Sequence, residues 1–264
     1  MLDPYIPSRS ILLAPSLGPL TGSNREGLHS IFRRTCEKNQ LTVNDVLSGL
    51  VLPSLGQKQD HLTRMSTAVN LINRGCAISA RIAAVLQELT GLSELSTATL
   101  QELVSLQGVG TLATSKYRKW CPNCWAYDID TESGPYDRLL WSIDAVQACP
   151  FHHVRLGSIC QHCGAGPFGV LTGRDLSGRC PKCLGWLGGS AIALDEGRDE
   201  HSRFLLWTAQ SFADLLADPL QNEFNASQGI TDVLDALVRQ HFNGVYARLA
   251  RSIERNRSVV GTWL

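Results

Sequence analysis

Residues 149–164 read CPFHHVRLGSICQHCG. A CxxH unit and a CxxC unit stand seven residues apart, and each is an ordinary half of a zinc site. Working outward, two more such units appear. The full set is Cys121-x2-Cys124, 24 residues, Cys149-x2-His152, then Cys160-x2-Cys163, 16 residues, and Cys180-x2-Cys183. A CxxC turn places two thiolates on one edge of a tetrahedron, and a second turn completes it. Eight potential ligands therefore predict two structural Zn2+ ions. Paired in chain order they make one site of three cysteines and a histidine and one of four cysteines; the spacing alone also allows an interleaved pairing. His152 completes a unit matching the other three pairs, so it is favoured as ligand over His153. His162 lies inside a turn, where its side chain should point away from the metal.

The rest of the composition fits this reading. Seven of the nine cysteines fall between residues 121 and 183, and only Cys36 and Cys76 stand alone. A secreted disulfide scaffold would spread its cysteines and carry a signal, and MLDPYIPSRS has no basic region followed by an apolar core. The expectation is a soluble, intracellular protein with no membrane span. Apolar residues make up 44% and net charge is zero, which excludes wholesale disorder and a global basic field, so any nucleic-acid surface must be a local patch.

The chemistry of the cluster argues against catalysis. A catalytic zinc keeps an open coordination position, whereas both sites here are closed by four protein ligands. CPNC, CPFH and CPKC carry proline, but no HxE precedes any of them, as a deaminase would need. A redox CxxC would call for a thioredoxin-like βαβ context, which is missing. The basic and aromatic lead-in KYRKW, Lys116 to Trp120, reads either as a solvated segment entering the first zinc turn or as a nucleic-acid contact.

Helical periodicity surrounds the cluster. In LHSIFRRTC the residues Leu28, Ile31, Phe32, Thr35 and Cys36 fall on one face, making Cys36 a small core residue. LTVNDVLSGL predicts a helix capped by Thr42 or Asn44. ISARIAAVLQELTG predicts another, closed by Gly91, and STATLQELVSL a third, capped by Ser96 or Thr97. DEGRDE (195–200) reads as a polar connector. RFLLWTAQSFADLLADP then predicts a helix with Phe204, Trp207, Phe212 and Leu215/Leu216 inward and Pro219 beyond its end. The predicted division is a helical, helix-turn-helix-like domain (1–120), tandem zinc-ribbon-like modules (121–190) and a C-terminal helical region (191–264). The fold class is mainly α with small zinc-stabilised β/loop modules.

The pattern CPNC, Tyr136, Arg138, Trp141, CPFHHVRLGSICQHCG and CPKC resembles the zinc region of the TniQ/TnsD family of transposition proteins. Leu156 and Gly164 fall on that family's expected leucine and glycine. REGLHSIFRRTCEKNQLTVNDVL resembles the family's opening segment, with Gly27 where serine is common and Thr35-Cys36 near the usual Leu-Ala. SRSILLAP resembles its lead-in. The resemblance covers about 1–190. It implies a non-catalytic adaptor that selects target sites for a multi-component transposon. The partners it implies are an AAA+ ATPase transposition regulator, target DNA reached directly or through a CRISPR effector complex, and the transposase assembly, with homodimerisation a further option.

The tail LARSIERNRSVVGTWL (249–264) resembles a repressor-type helix-turn-helix. Two departures stand out: Glu254 replaces the usual turn glycine, and Arg255 an apolar turn residue. If the motif holds, Arg257, Ser258 and Thr262 face the major groove, while Arg248, Arg251 and Arg255 contact phosphates. The rival for this segment is a basic amphipathic helix packed on its own domain. The chain stops about where a recognition helix would end, which reads as a truncated or a shorter member of the family. For the whole chain the rivals are a zinc-containing helix-turn-helix transcription factor and a zinc-dependent nucleic-acid enzyme.

Overall fold

In the computed structural model the described residues are 10–54, 68–107, 113–173, 175–189, 191, 193–195 and 199–217. They belong to one compact unit, Met1–Leu220; a second unit, Gln221–Leu264, lies outside them.

The central element is α1 (Leu28–Lys38). Its apolar face buries Leu28, Ile31, Phe32 and Cys36, as the periodicity predicts. The opposite face is buried too: Arg33 and Arg34 are 0% and 7% exposed. Gly27 precedes the helix, and a Cβ there would meet the His29 ring at 2.8 Å and the Leu139 backbone at 3.3 Å. Its bare backbone lets the 137–139 segment approach, with Gly27 N–H donating to Asp137 O at 3.0 Å.

Thr42 starts α2 (Val43–Val46) with a reciprocal capping box: its hydroxyl accepts from Asp45 N–H, and the Asp45 carboxylate accepts from Thr42 N–H. The helix continues through a π turn at Leu47–Val51 into α3 (Leu52–Ser54). Next comes α4 (Ala77–Thr90), closed by Gly91 in the left-handed conformation at φ 73°. STATLQELVSL departs from expectation. Leu95–Ala98 form a 3-10 turn and α5 begins only at Gln101 (Gln101–Gln107). Thr99, extended at φ −119°, breaks the two, and its hydroxyl accepts from Gln101 N–H; the cap is Thr99, neither Ser96 nor Thr97. The reason is packing: Leu95, Ala98 and Leu100 are all buried, and one continuous helix would turn Leu100 away from the face shared by Leu95 and Ala98.

α1, α2, α4 and the 3-10 turn share one apolar core, including Phe32, Leu47, Ile82, Leu86 and Leu95. Val170 and Leu171, from the second cysteine module, lie in the same core. Each such side chain contributes roughly 1.5–3 kcal/mol of burial. The module's chain between its two cysteine pairs is thus anchored on the helices.

Beyond α6 (Pro122–Asp128) the described residues hold one small sheet, the antiparallel pair β1 (Ala148–Cys149) and β2 (Val154–Arg155). α7 (Glu200–Ala217) is entered through Asp199, whose carboxylate accepts from His201 and Ser202 N–H. Phe204, Phe212, Leu215 and Leu216 face inward. Trp207 does not, being 45% exposed. At 100° per residue it lines up with the exposed Arg203, Gln210 and Asp214 on the polar stripe. No described helix is long and apolar enough to cross a membrane.

Candidate metal centres

Three of the four ligand pairs fold as the same tight turn. The carbonyl of the first ligand accepts from the N–H just past the second: Cys149 O from His153, Cys160 O from Gly164, and Cys180 O from Leu184, all at 2.9 Å. That closing residue is left-handed each time, at φ 52° (His153), 67° (Gly164) and 60° (Leu184). Only Gly164 adopts this without strain. Free N–H groups inside the turns point at sulfur: His162 and Lys182 donate to Cys160 and Cys180 Sγ, each at 3.4 Å. The fourth pair is built differently. Cys121 is the N-cap of α6, Pro122 occupies the first turn, and Cys124 projects from it.

The pairs assemble in chain order. Cys121, Cys124, Cys149 and His152 converge, as do Cys160, Cys163, Cys180 and Cys183, with ligand atoms in each set all within 4.8 Å of one another. Zn–S bonds of about 2.3 Å and Zn–N bonds of about 2.0–2.1 Å imply tetrahedral edges near ~3.8 Å (S···S) and ~3.6 Å (S···N). The observed edges agree. Cys124–Cys149 is 3.7 Å, Cys160–Cys183 is 3.7 Å and Cys163–Cys180 is 3.8 Å. His152 Nδ1 lies 3.6 Å from Cys121, 3.6 Å from Cys149 and 3.2 Å from Cys124.

Hydrogen bonds from Cys124 and Cys149 pull the Cys121 thiol down, and their contact with Cys121 pushes Cys149 and Cys124 up. The edge lengths of both donor sets fit zinc, which would act as a cross-link between the segments that carry the ligand pairs.

His162 takes no part in ligation. Its Nε2 donates to Trp186 O at 2.6 Å, tying one turn of the second cluster to the other. The two clusters differ in exposure: Cys121, Cys124 and Cys149 are buried, whereas Cys163 and Cys183 are exposed.

Around the first cluster lies a set of side chains that residue patterns did not reveal. KYRKW is neither solvated nor open to nucleic acid beyond Lys116 and Tyr117, because Arg118, Lys119 and Trp120 are buried. Arg118 pairs with Asp137 at 3.0 Å and Asp175 at 2.9 Å. Arg33 of α1 meets the same two carboxylates, at 2.8 Å and 2.9 Å, and donates to Val170 O. Its contact with Asp175 is off-axis for a hydrogen bond, so charge attraction carries it. Burial opposes ionisation of Asp137, but Arg118 and Arg33 hold its carboxyl well below the usual range. Lys119 Nζ donates to the carbonyls of Ile143 and Val146 at 2.7 and 2.6 Å; burial pushes its ammonium down to about 8.

Tyr136, Arg138 and Trp141 serve the same centre. Arg138 pairs with Asp128 on α6 and lies over the Tyr136 and Trp141 rings, 4.2 and 5.1 Å from their centroids. Trp125 stacks on Trp120 and meets Trp141 edge-on. Buried Glu26 pairs with Arg34, and Arg25 reaches Glu102 on α5 and Leu216 O at the end of α7.

The TniQ family model matches residues 20–156, just over half of the chain. The chain belongs to the TniQ family. No curated protein matches it in sequence. The matched span contains α1, the ion-pair network's Arg33, Arg118 and Asp137, and the complete first cluster, while the second cluster lies beyond it. Membership carries a transposition-associated role in target selection. Of the residues expected to act, all eight metal ligands are brought together in two sets; Arg248, Arg251, Arg255, Arg257, Ser258 and Thr262 lie outside the described residues.

Proposed function

We propose that this TniQ protein is a non-catalytic adaptor that links a DNA target, reached directly or through a CRISPR effector, to the AAA+ ATPase regulator of its transposon. The observation that carries the reading is the first cluster inside the TniQ match: four protein ligands at tetrahedral spacing, embedded in a buried ion-pair network. A centre closed by four protein ligands holds segments in place and offers no coordination position to a substrate. The family match supports this over the transcription-factor reading.

In this proposal the helical part (1–120, helix-turn-helix-like) and the zinc modules (121–190) form the protein-binding body. The C-terminal region (191–264) makes the DNA contact, through Arg257, Ser258 and Thr262 on bases and Arg248, Arg251 and Arg255 on phosphates. Capture of the purified ATPase by the zinc-loaded chain, with and without DNA, tests it. Absence of capture under both conditions overturns the adaptor reading, and so does a metal-dependent turnover that disappears in a folded His152→Ala protein.

A further inference from the structure

The second cluster is open on one side. In each of its two turns the first cysteine is buried, Cys160 and Cys180, and the second is exposed, Cys163 and Cys183. The buried pair is also held by backbone: Cys160 Sγ accepts from His162 N–H at 3.4 Å, and Cys180 Sγ from Lys182 and Cys183 N–H at 3.4 and 3.5 Å. All four sulfurs lie within 4.8 Å of one another, so the two exposed ones are neighbours at the surface. The cysteines of the first cluster are all buried.

The two turns are joined by more than the ligands. The His162 ring donates across to Trp186 O at 2.6 Å, and a Cβ added to Gly185 would meet that ring at 2.7 Å and Cys183 Sγ at 3.3 Å. The chain between the turns is tied to the helices separately, through Val170 and Leu171 in the apolar core and Asp175 against Arg33. None of these ties uses a ligand atom. The exposed sulfurs therefore keep their neighbourhood, and the helical body its packing, when the coordination of this cluster changes.

Sulfur that a reagent can reach is oxidised first, and a thiolate beside it converts the product to a disulfide. We infer that Cys163 and Cys183 are a peroxide-sensitive modification site, oxidised reversibly to a disulfide. Whichever thiolate meets the hydroperoxide first forms an S–O bond as the O–O bond breaks, giving a sulfenic acid and, from hydrogen peroxide, hydroxide. The other thiolate then forms the S–S bond and expels the sulfenic oxygen as a second hydroxide. Each sulfur gives up one electron, and the peroxide takes both. Cys160 and Cys180 alone are two donors short of a closed tetrahedral site, so this oxidation empties the second cluster of its metal. Exposed disulfides are the ones that thiols reduce, which makes the change reversible. The inference rests on the metal fit of the second cluster and is independent of the adaptor reading.

The test treats the full zinc-loaded chain with hydrogen peroxide and follows zinc by indicator, helix by circular dichroism and disulfides by peptide mapping. One zinc equivalent and two thiols should be lost, about tenfold or more faster than any loss from the first cluster, with helical dichroism unchanged. The disulfide should link the tryptic peptides 156–174 and 183–198, with fragmentation placing it on Cys163 and Cys183. Dithiothreitol followed by zinc should restore the starting state. Replacing either cysteine also weakens the metal site, so the variants are read by dimedone, whose label does not depend on metal content. Cys163 should be trapped as sulfenic acid in Cys183→Ser, and Cys183 in Cys163→Ser. A disulfide that uses Cys160 or Cys180, simultaneous loss of both zinc ions, or absence of dimedone label from both variants overturns the proposal.

Discussion

Arg33 and Asp137 are 104 positions apart in the chain and 2.8 Å apart in space, with each side chain 1% exposed. The pair joins the first helix to the segment between the two halves of the first metal cluster. Asp137 also faces Arg118 and, at 3.3 Å, His29. Such a network need not be stabilising against an apolar alternative, but removing one partner strands the others. Asp137→Asn should therefore cost about 3–5 kcal/mol in urea unfolding. A loss below about 1 kcal/mol, the range of an exposed pair, would show that the network is solvated.

Metal should leave in two steps. Cys163 and Cys183 are exposed while three ligands of the first cluster are buried, so a chelator or thiol reagent reaches the second cluster first. One equivalent should be released while helical circular dichroism is unchanged, with any fluorescence change confined to Trp186 beside the second cluster. The second should leave together with a fluorescence change, since Trp120 and Trp125 flank Cys121 and Cys124, and with loss of helical circular dichroism. Simultaneous release of both ions would refute the order.

Leu184 is 51% exposed and held at φ 60° by the turn that Gly164 closes without strain. Leu184→Gly should relieve about 1 kcal/mol of backbone strain and tighten zinc binding at the second cluster. Gly164→Ala should do the reverse by a similar amount. Competition titration against a zinc indicator measures both, and a weaker Leu184→Gly protein would mean the side chain packs in a way its exposure hides.

Acid should act on the metal before it acts on the ion pairs. Asp137 is depressed in the folded state, so the stability it contributes is complete above the unfolded carboxyl value of about 3.9 and is lost only as pH falls through the lower folded value. Ligand thiols and imidazole, by contrast, bind protons in competition with zinc. Zinc release followed by indicator on stepwise acidification should thus begin above pH ~4. Release that begins only below pH ~4 would show that acid reaches the ion pairs first.

The ligand set was legible because metal geometry is local: a pair two residues apart spans one tetrahedral edge wherever it occurs. The buried face of α1, the Thr42 cap and the Gly91 stop were legible for the same reason, since helical period and caps act within a turn or two. The faults arose where distant chain decided the outcome. STATLQELVSL has a sound helical pattern, yet Thr99 breaks it so that Leu95, Ala98 and Leu100 are all buried. Trp207 looked like core by residue type and falls on the polar stripe of α7.

By itself the sequence determined most of the helices, the eight candidate ligands and the family to which the chain belongs. It left the pairing of half-sites open. Tertiary structure decided that pairing, and it decided that Arg33, Arg34, Arg118 and Arg138 point inward. Nothing in the amphipathic spacing of LHSIFRRTC or in KYRKW marks an arginine for burial, because burial of a charge becomes tolerable only when a carboxylate from another part of the chain arrives to neutralise it. Asp137, Glu26, Asp128 and Asp175 do that here, and their partners are set by how the helices and metal turns pack, which no local pattern encodes.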